Sequence, residues 1–456
     1  LIWTPVPSTV SLPPEQTKAR WGFILVVANS LEDAKSSYDE GLNLMATGNL
    51  RPSHEKAWKE LWLQSKVEVM GSETLSKAVV GCMFYLLSAF PSIHDTSSYF
   101  GGLSPGGLSN GGDGQDYWGH VFWDQDIWMY PGIALFYPKL ARSVLEYRVG
   151  TIDGAKDNAQ KQGYKGLKFP WESAVSGREV CPDDIYGQQE IHINGDVTLA
   201  FQHYLYLTED LSMFTEGRGS EVIFGVADYW VSRVKWNPDD QKYHLLGVMP
   251  PDEYYYNVNN SVYTNTVAKL RYLLHTQHSV LSFEQINFPF HLQGMFAIGW
   301  LELGEAEKAQ RLLEKCFKNI QGPFQVWSES SDGSGAVNFL TGMGGFLQAV
   351  LFGYTGFRSK ECLAFAPLLP DEICELCVRG INYLGNQMDW LLRKDDVCVI
   401  LREQTGRVGN TNPQKLQIVL KASGAKIPLM PGQPVTFPRE AGCICKMDPP
   451  SFCWLL

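Results

Sequence analysis

Between about residue 71 and residue 355, apolar residues return again and again with the period of an α-helix, and this succession narrows the possible folds most. Leu75, Ala78, Val79, Cys82, Met83 and Leu86 fall at i, i+3, i+4, i+7, i+8 and i+11, as do Ile223, Val226, Ala227, Trp230, Val231 and Val234. Val197, Ala200, Phe201, Tyr204 and Leu205 repeat the first five of those offsets, and so do Ala309, Leu312, Leu313, Cys316 and Phe317. Phe339, Leu340, Met343, Phe346, Leu347 and Val350 form a further stripe. One such stripe is an ordinary core face. Many in succession, joined by long loops rich in Gly, Pro and Trp, predict a toroid of helical hairpins with a functional rim, because long polar-aromatic loops carry sites.

After about Gly356 the period changes to two: Leu416, Ile418 and Leu420 alternate with Gln417 and Val419, and Val397 to Leu401 is rich in β-formers. Turn signals at Gly406, Gly424 and Pro431-Gly432 complete the pattern of a small antiparallel β-domain over 356–456. The first seventy residues are mixed, with a strand expected over Phe23 to Ala28 and a short helix around Trp58, Leu61 and Trp62.

At 456 residues, 45% of them apolar and 19% charged, the chain has the length for two or three domains and the composition of a large soluble core. A net charge of −11 without a basic cluster argues against nucleic acid, and the absence of eighteen uninterrupted apolar residues argues against a membrane helix. The ten cysteines show no disulfide framework. Cys374-x-x-Cys377 and Cys443-x-Cys445 lack partners for zinc and read as free thiols in strand-like sequence, which leans toward a cytoplasmic location. No metal and no cofactor is expected.

Four loop segments offer chemistry. Gly119 to Pro131 places Asp124 directly after Trp123, and Phe169 to Ser173 places Glu172 after Trp171. A carboxylate beside an indole suits a pyranose, giving acceptors for its hydroxyls and a flat face for its ring. Glu190 to Asp196 carries His192 at the mouth of a helix, and Pro251 to Tyr256 carries Asp252 and Glu253 and leads into Asn259, Asn260 and Asn265. Each has a structural reading as well: Glu190 or Asp196 at a helix N-terminus, His192 as a satisfied core histidine. Four of them along one helical toroid favour a site. Asn259-Asn260-Ser261 matches a glycosylation sequon, but its place beside Glu253 argues against its use. Gly101 to Gly114 has the composition of a phosphate loop without its Gly-Lys-Ser/Thr ending and reads as a mobile rim loop.

Cleavage of a glycoside by two carboxyls needs a protonated acid for the leaving oxygen and a carboxylate that activates water. Glu253, among three tyrosines and Pro250-Pro251, stands where the charged form is disfavoured, as a general acid requires. Glu329, in Trp327-Ser-Glu-Ser-Ser-Asp-Gly-Ser-Gly335 just before the last amphipathic helix, is the candidate second carboxylate.

The four segments together resemble the signature blocks of glycoside hydrolase family 65, over about residues 3 to 447. The resemblance implies an (α/α)6 barrel over 71–355, a C-terminal β-domain over 356–456, and, in 1–70, the remnant of an N-terminal β-domain with its linker. It implies Glu253 as general acid and Trp123 and Asp124 as holders of the non-reducing glucose; Trp171, Glu172, His192 and Asp252 of the loop segments are the further candidate substrate-binding residues. The family contains phosphorylases and hydrolases; Glu329 looks like the hydrolase version of a site where phosphorylases bind phosphate with a Ser-rich loop. The implied reaction is removal of the α-1,2-linked glucose from glucosylgalactosyl-hydroxylysine of collagen, or from another α-glucoside. Two features depart from the family: Tyr255 replaces a His next to the acid, and Thr266 to Met295 is short where members carry a longer helical segment with a Lys-Gln-Ala-Asp block. About nine or ten stripes stand where a complete barrel needs twelve. A phosphorylase and a sugar-binding chain without turnover are therefore the rival readings.

Overall fold

The computed structural model describes residues 1–28, 30–90, 102–107, 117–269, 290–402 and 412–447. The chain divides into two compact units, one of which holds Leu1–Lys66 and the other most of the remainder. In the first, Ile2–Trp3 pairs with Leu25–Val26, a much shorter strand than Phe23 to Ala28, and the helices Leu31–Ala46 and Leu50–Gln64 follow. Ser30 caps the first helix by accepting from the Asp33 N–H.

The second unit is mainly helical up to residue 354. Glu73–Ser88 buries Leu75, Ala78, Val79, Cys82, Met83 and Leu86, the stripe its sequence predicts. Ile193–Thr208 buries Val197, Ala200, Phe201 and Tyr204, with Leu207 in the place expected of Leu205. Leu340–Gln348 is buried along its whole length, and Gly344 lets it approach the Trp128 carbonyl more closely than any Cβ would allow. Gly219–Arg233 departs from its predicted face. It buries Val222, Val226, Tyr229, Trp230 and Arg233 and leaves Val231 exposed. Tyr229 has an edge-on partner in Tyr164, and Arg233 donates to the Leu246 carbonyl at 2.6 Å, so the larger side chains take the inner face.

From Arg358 onward the described residues form strands. Two five-stranded sheets lie here, one ordered Pro434–Pro438, Asp396–Leu401, Asn386–Arg393, Glu375–Tyr383 and Lys66–Met70, the other Lys426–Pro428, Leu416–Leu420, Gly442–Lys446, Leu363–Phe365 and Arg358–Ser359. Their registered pairs are antiparallel. Phe365 of the second sheet meets Trp390 at 5.0 Å and Phe437 at 5.7 Å of the first. The sheets rest on the helices through Asn382, which donates to the Phe136 carbonyl, and Leu384, whose N–H donates to the Leu207 carbonyl.

Of the expected rim loop Gly101 to Gly114, residues 102–107 are described, and Leu103 and Ser104 there are buried. The rest of that loop, the Gly406 turn and residues 270–289 lie outside the described residues. Among the described residues, no helix is long and apolar enough to cross a membrane.

Candidate active site

The four sequence segments lie side by side, joined by hydrogen bonds made within them or by the residues directly flanking them. Val121 and Ser173 exchange backbone bonds of 2.8 and 2.9 Å, joining the first to the second. Asn194 accepts from the Phe169 N–H at 2.8 Å, joining second to third. The Met249 N–H reaches the Gln189 carbonyl, and the Gln189 and Asn257 side chains and backbone hold the fourth. Asn259 accepts from the Gly247 N–H and Asn260 from the Leu245 N–H, so both asparagines fix the loop that presents Glu253. The segment around Glu329 closes the ring on the first: Tyr117 donates to Glu329 Oε1 at 2.6 Å, and Thr341 donates to Asp124 Oδ2 at 2.6 Å.

Glu329 is held tightly. Its Oε2 accepts from the Ala336 N–H at 2.9 Å, and its own N–H donates to the Ala336 carbonyl. Gly335 has φ +74°, and a Cβ there would lie 2.6 Å from Glu329 Oε2, so the residue must be glycine for both reasons. Tyr117 reaches Glu329 from a backbone in the left-handed region, with φ 58°, followed by Trp118 at φ 56°, the kind of local strain that collects at functional sites.

Glu253 is exposed to water, with Tyr186 and Asp252 among the groups that act on its carboxyl. Partial burial pushes its carboxyl above the usual range, against a positive charge on His192 and a hydrogen bond with Tyr186, while Asp252 and Glu329 push it further up. The adjacent Tyr254, Tyr255 and Tyr256 do not enclose it; they are 90%, 64% and 60% exposed. Asp252 accepts from the Tyr254 N–H and shapes this turn. Burial lifts Asp124 to about 7, partly offset by the Thr341 hydroxyl and reinforced by Glu253 and Glu329. Asp124, Glu253 and Glu329 therefore share one field although about 200 residues separate the first from the last in sequence.

Behind this surface lies His192, fully buried, with Nδ1 2.6 Å from Asp196 and Nε2 3.0 Å from Glu190. Trp123 and Trp171 meet its ring edge-on at 4.8 and 5.6 Å. Both indoles are themselves buried, and Tyr186 lies over Trp171. Glu172, also buried, stands 2.7 Å from His120 Nδ1. Tyr117, Thr341, Tyr186 and Tyr263 are the participants that sequence reading missed. Tyr117 stands two residues before a recognised segment, and Thr341 sits inside an apolar stripe, so neither carries a signal of its own.

The family profile for the glycosyl hydrolase family 65 central catalytic domain matches residues 83–332, more than half of the chain. The chain belongs to glycosyl hydrolase family 65. Among its relatives in that family, the protein-glucosylgalactosylhydroxylysine glucosidase of Danio rerio is 52% identical over 526 residues, spanning 100% of this chain and 80% of its own. The protein of the same name from Gallus gallus is 46% identical over 515 residues, spanning 98% and 72%. The Danio rerio alignment is longer than this chain of 456 residues by about 70 positions, which have no counterpart here. A solved structure provisionally named kojibiose phosphorylase, from human microbiome, superposes with a TM-score of 0.71 at 16% identity, covering 90% of this chain and 68% of that one. That likeness supports a family 65 fold. With its family and these relatives, the protein is a glycoside hydrolase.

Proposed function

We propose that this chain is an inverting α-glucosidase that removes the α-1,2-linked glucose from glucosylgalactosyl-hydroxylysine of collagen, with Glu253 as general acid and Glu329 as general base. The observation that carries the reading is the pairing of environments. Glu253 is held above the ordinary carboxylate range and open to the solvent side, while Glu329 is fixed by hydrogen bonds from Tyr117 and Ala336. Glu253 would donate its proton to the glycosidic oxygen as the bond to the anomeric carbon breaks. Glu329 would take a proton from the water attacking the opposite face, giving β-glucose and galactosyl-hydroxylysine. Such a pair stands roughly 6.5–9.5 Å apart to leave room for that water.

Around this pair we place the glucose site on Trp123, Asp124, Trp171, Glu172, His192 and Asp252, with Asp124 meeting hydroxyls and the buried His192 acting from behind. We read residues 71–355 as an (α/α)6 barrel, 356–456 as the β-domain and 1–70 as the remnant of an N-terminal β-domain; family membership and the superposition support the first of these. The free state of the described cysteines suits a cytoplasmic location.

A phosphorylase would need a phosphate cradle near Ser328 to Ser334. Ser328 donates instead to the Asn319 and Ser330 carbonyls, and Ser334 to Asp332, which favours hydrolysis. The deciding experiment is glucose release from glucosylgalactosyl-hydroxylysine with and without phosphate, beside Glu253→Gln, with the first-formed anomer read by NMR. The reading expects β-glucose without phosphate and a loss of about 10²–10⁴-fold in the variant. A phosphate requirement favours the phosphorylase. Sugar binding without turnover by the folded chain assigns it a binding role.

A further inference from the structure

Glu190, His192 and Asp196 are 1%, 0% and 0% exposed, and neither proton transfer of the proposed reaction passes through them. Asp196 holds His192 Nδ1 at 2.6 Å and accepts from the Tyr263 hydroxyl at 2.8 Å. On the other side, His192 Nε2 stands 3.0 Å from Glu190 Oε2, close enough for a strong charge contact although the N–H is not aimed along a hydrogen bond. Glu190 Oε1 has no hydrogen-bond donor among the described residues. The imidazole cannot swing away, because Trp123 at 4.8 Å, Tyr263 at 5.2 Å and Trp171 at 5.6 Å all meet its ring edge-on. A buried acid beside a clamped cation is costly to keep unless something depends on it.

Gln189, directly before Glu190, is hydrogen-bonded to Met249 and to Asn257, on either side of the loop that carries Glu253, so the pair and the acid are held in one framework. We propose that Glu190 and His192 are positioning residues for the general acid: a clamped pair of opposite charges that sets the pH at which Glu253 gives up its proton. This rests on the assignment of Glu253 above. Burial opposes a charge on His192, but Asp196 and Glu190 outweigh it and raise the imidazole to about 9, so it is a cation at neutral pH. That cation favours ionised Glu253, while Glu190 and Glu253 repel each other as carboxylates. Burial chiefly, and then Glu253, lift Glu190 to about 7 against the pull of His192. The remaining groups facing the relay are Tyr186, Asp252 and Glu329 around Glu253, Asp124 beyond them, and Asp196, Tyr263 and the Asp126–Arg148 pair behind His192.

The sign follows directly. Removing the Glu190 charge leaves His192 free to stabilise ionised Glu253, so Glu253 ionises at lower pH. Removing the His192 charge leaves the acids to repel, so Glu253 ionises at higher pH. The test titrates the Glu253 carboxyl by infrared difference against Glu253→Gln in wild type, Glu190→Gln, Glu190→Asp and His192→Gln, each checked for folding by thermal unfolding. Where turnover is measurable, the basic limb of kcat/KM is followed as well. The expected result is a midpoint about one pH unit lower in Glu190→Gln, near wild type in Glu190→Asp, and higher in His192→Gln. Unmoved midpoints in folded variants overturn the proposal, as would shifts in the same direction for both neutral variants. If one neutral variant does not fold, the other decides by its direction. Retained activity in Glu253→Gln would instead sink the general-acid assignment, an outcome distinguishable from an unmoved midpoint.

Discussion

Two tryptophan-centred clusters occupy the larger unit. In the C-terminal sheets, Trp390 is fully buried and meets Phe357, Phe365 and Phe437 at 4.9, 5.0 and 6.1 Å. On the rim, Trp123 and Trp171 close around His192, which is flanked by two carboxylates. The first cluster encloses hydrocarbon and contributes stability in proportion to the area removed from water. The second encloses charge, and its carboxyls Asp124 and Glu190 are each displaced to about 7 by burial that works against folding at neutral pH. The same residue type thus serves stability where its neighbours are apolar and charge placement where they are not.

The contrast is sharpest where one side is cut. Trp390→Ala should cost about 3–5 kcal/mol in denaturant unfolding, the range for emptying a large aromatic site, while turnover per folded molecule stays near wild type. A collapse of activity in the folded variant would break the separation of the two clusters. Asp124→Asn should do the reverse, losing activity and gaining stability. The folded carboxyl titrates above its unfolded value, so its ionisation costs stability as pH rises from about 4 towards 7. At pH 8 the variant should unfold about 1–3 kcal/mol later than wild type, a gain that disappears by pH 4; equal stability at both pH values would remove this burden from Asp124. The smallest effect belongs to Tyr117→Phe, which deletes the hydrogen bond to Glu329. About tenfold lower kcat/KM with an almost unchanged melting temperature is expected, and an unchanged kcat/KM would make Tyr117 a bystander.

How much of this was legible depends on whether a residue's neighbours are local. The strand Leu416–Leu420 buries Leu416, Ile418 and Leu420, as its alternation predicts, because a sheet face is decided by residues two apart. The stripe in Glu73–Ser88 is equally local. The face of Gly219–Arg233 turned away from its apolar count because Tyr229 and Arg233 found partners on other segments, which a helical period does not encode. In the site, Asp124, Glu253 and Glu329 announce themselves as carboxylates on long loops. Thr341 does not, since its value lies in reaching Asp124, 217 residues earlier. Nor does the exposed state of Tyr254 to Tyr256, which makes the environment of Glu253 a property of distant segments rather than of its own loop.

The closure of the rim has a consequence for synthesis. The bonds Tyr117–Glu329 and Thr341–Asp124 span 212 and 217 residues, so neither can form until synthesis has passed Glu329 and Thr341. Helices such as Glu73–Ser88 and Ile193–Thr208 can form from local contacts long before that. A nascent chain halted before Glu329 would therefore be helical, carry Glu253, and have no partner for it. Competence arrives late and in one step, when the final loop docks on the first.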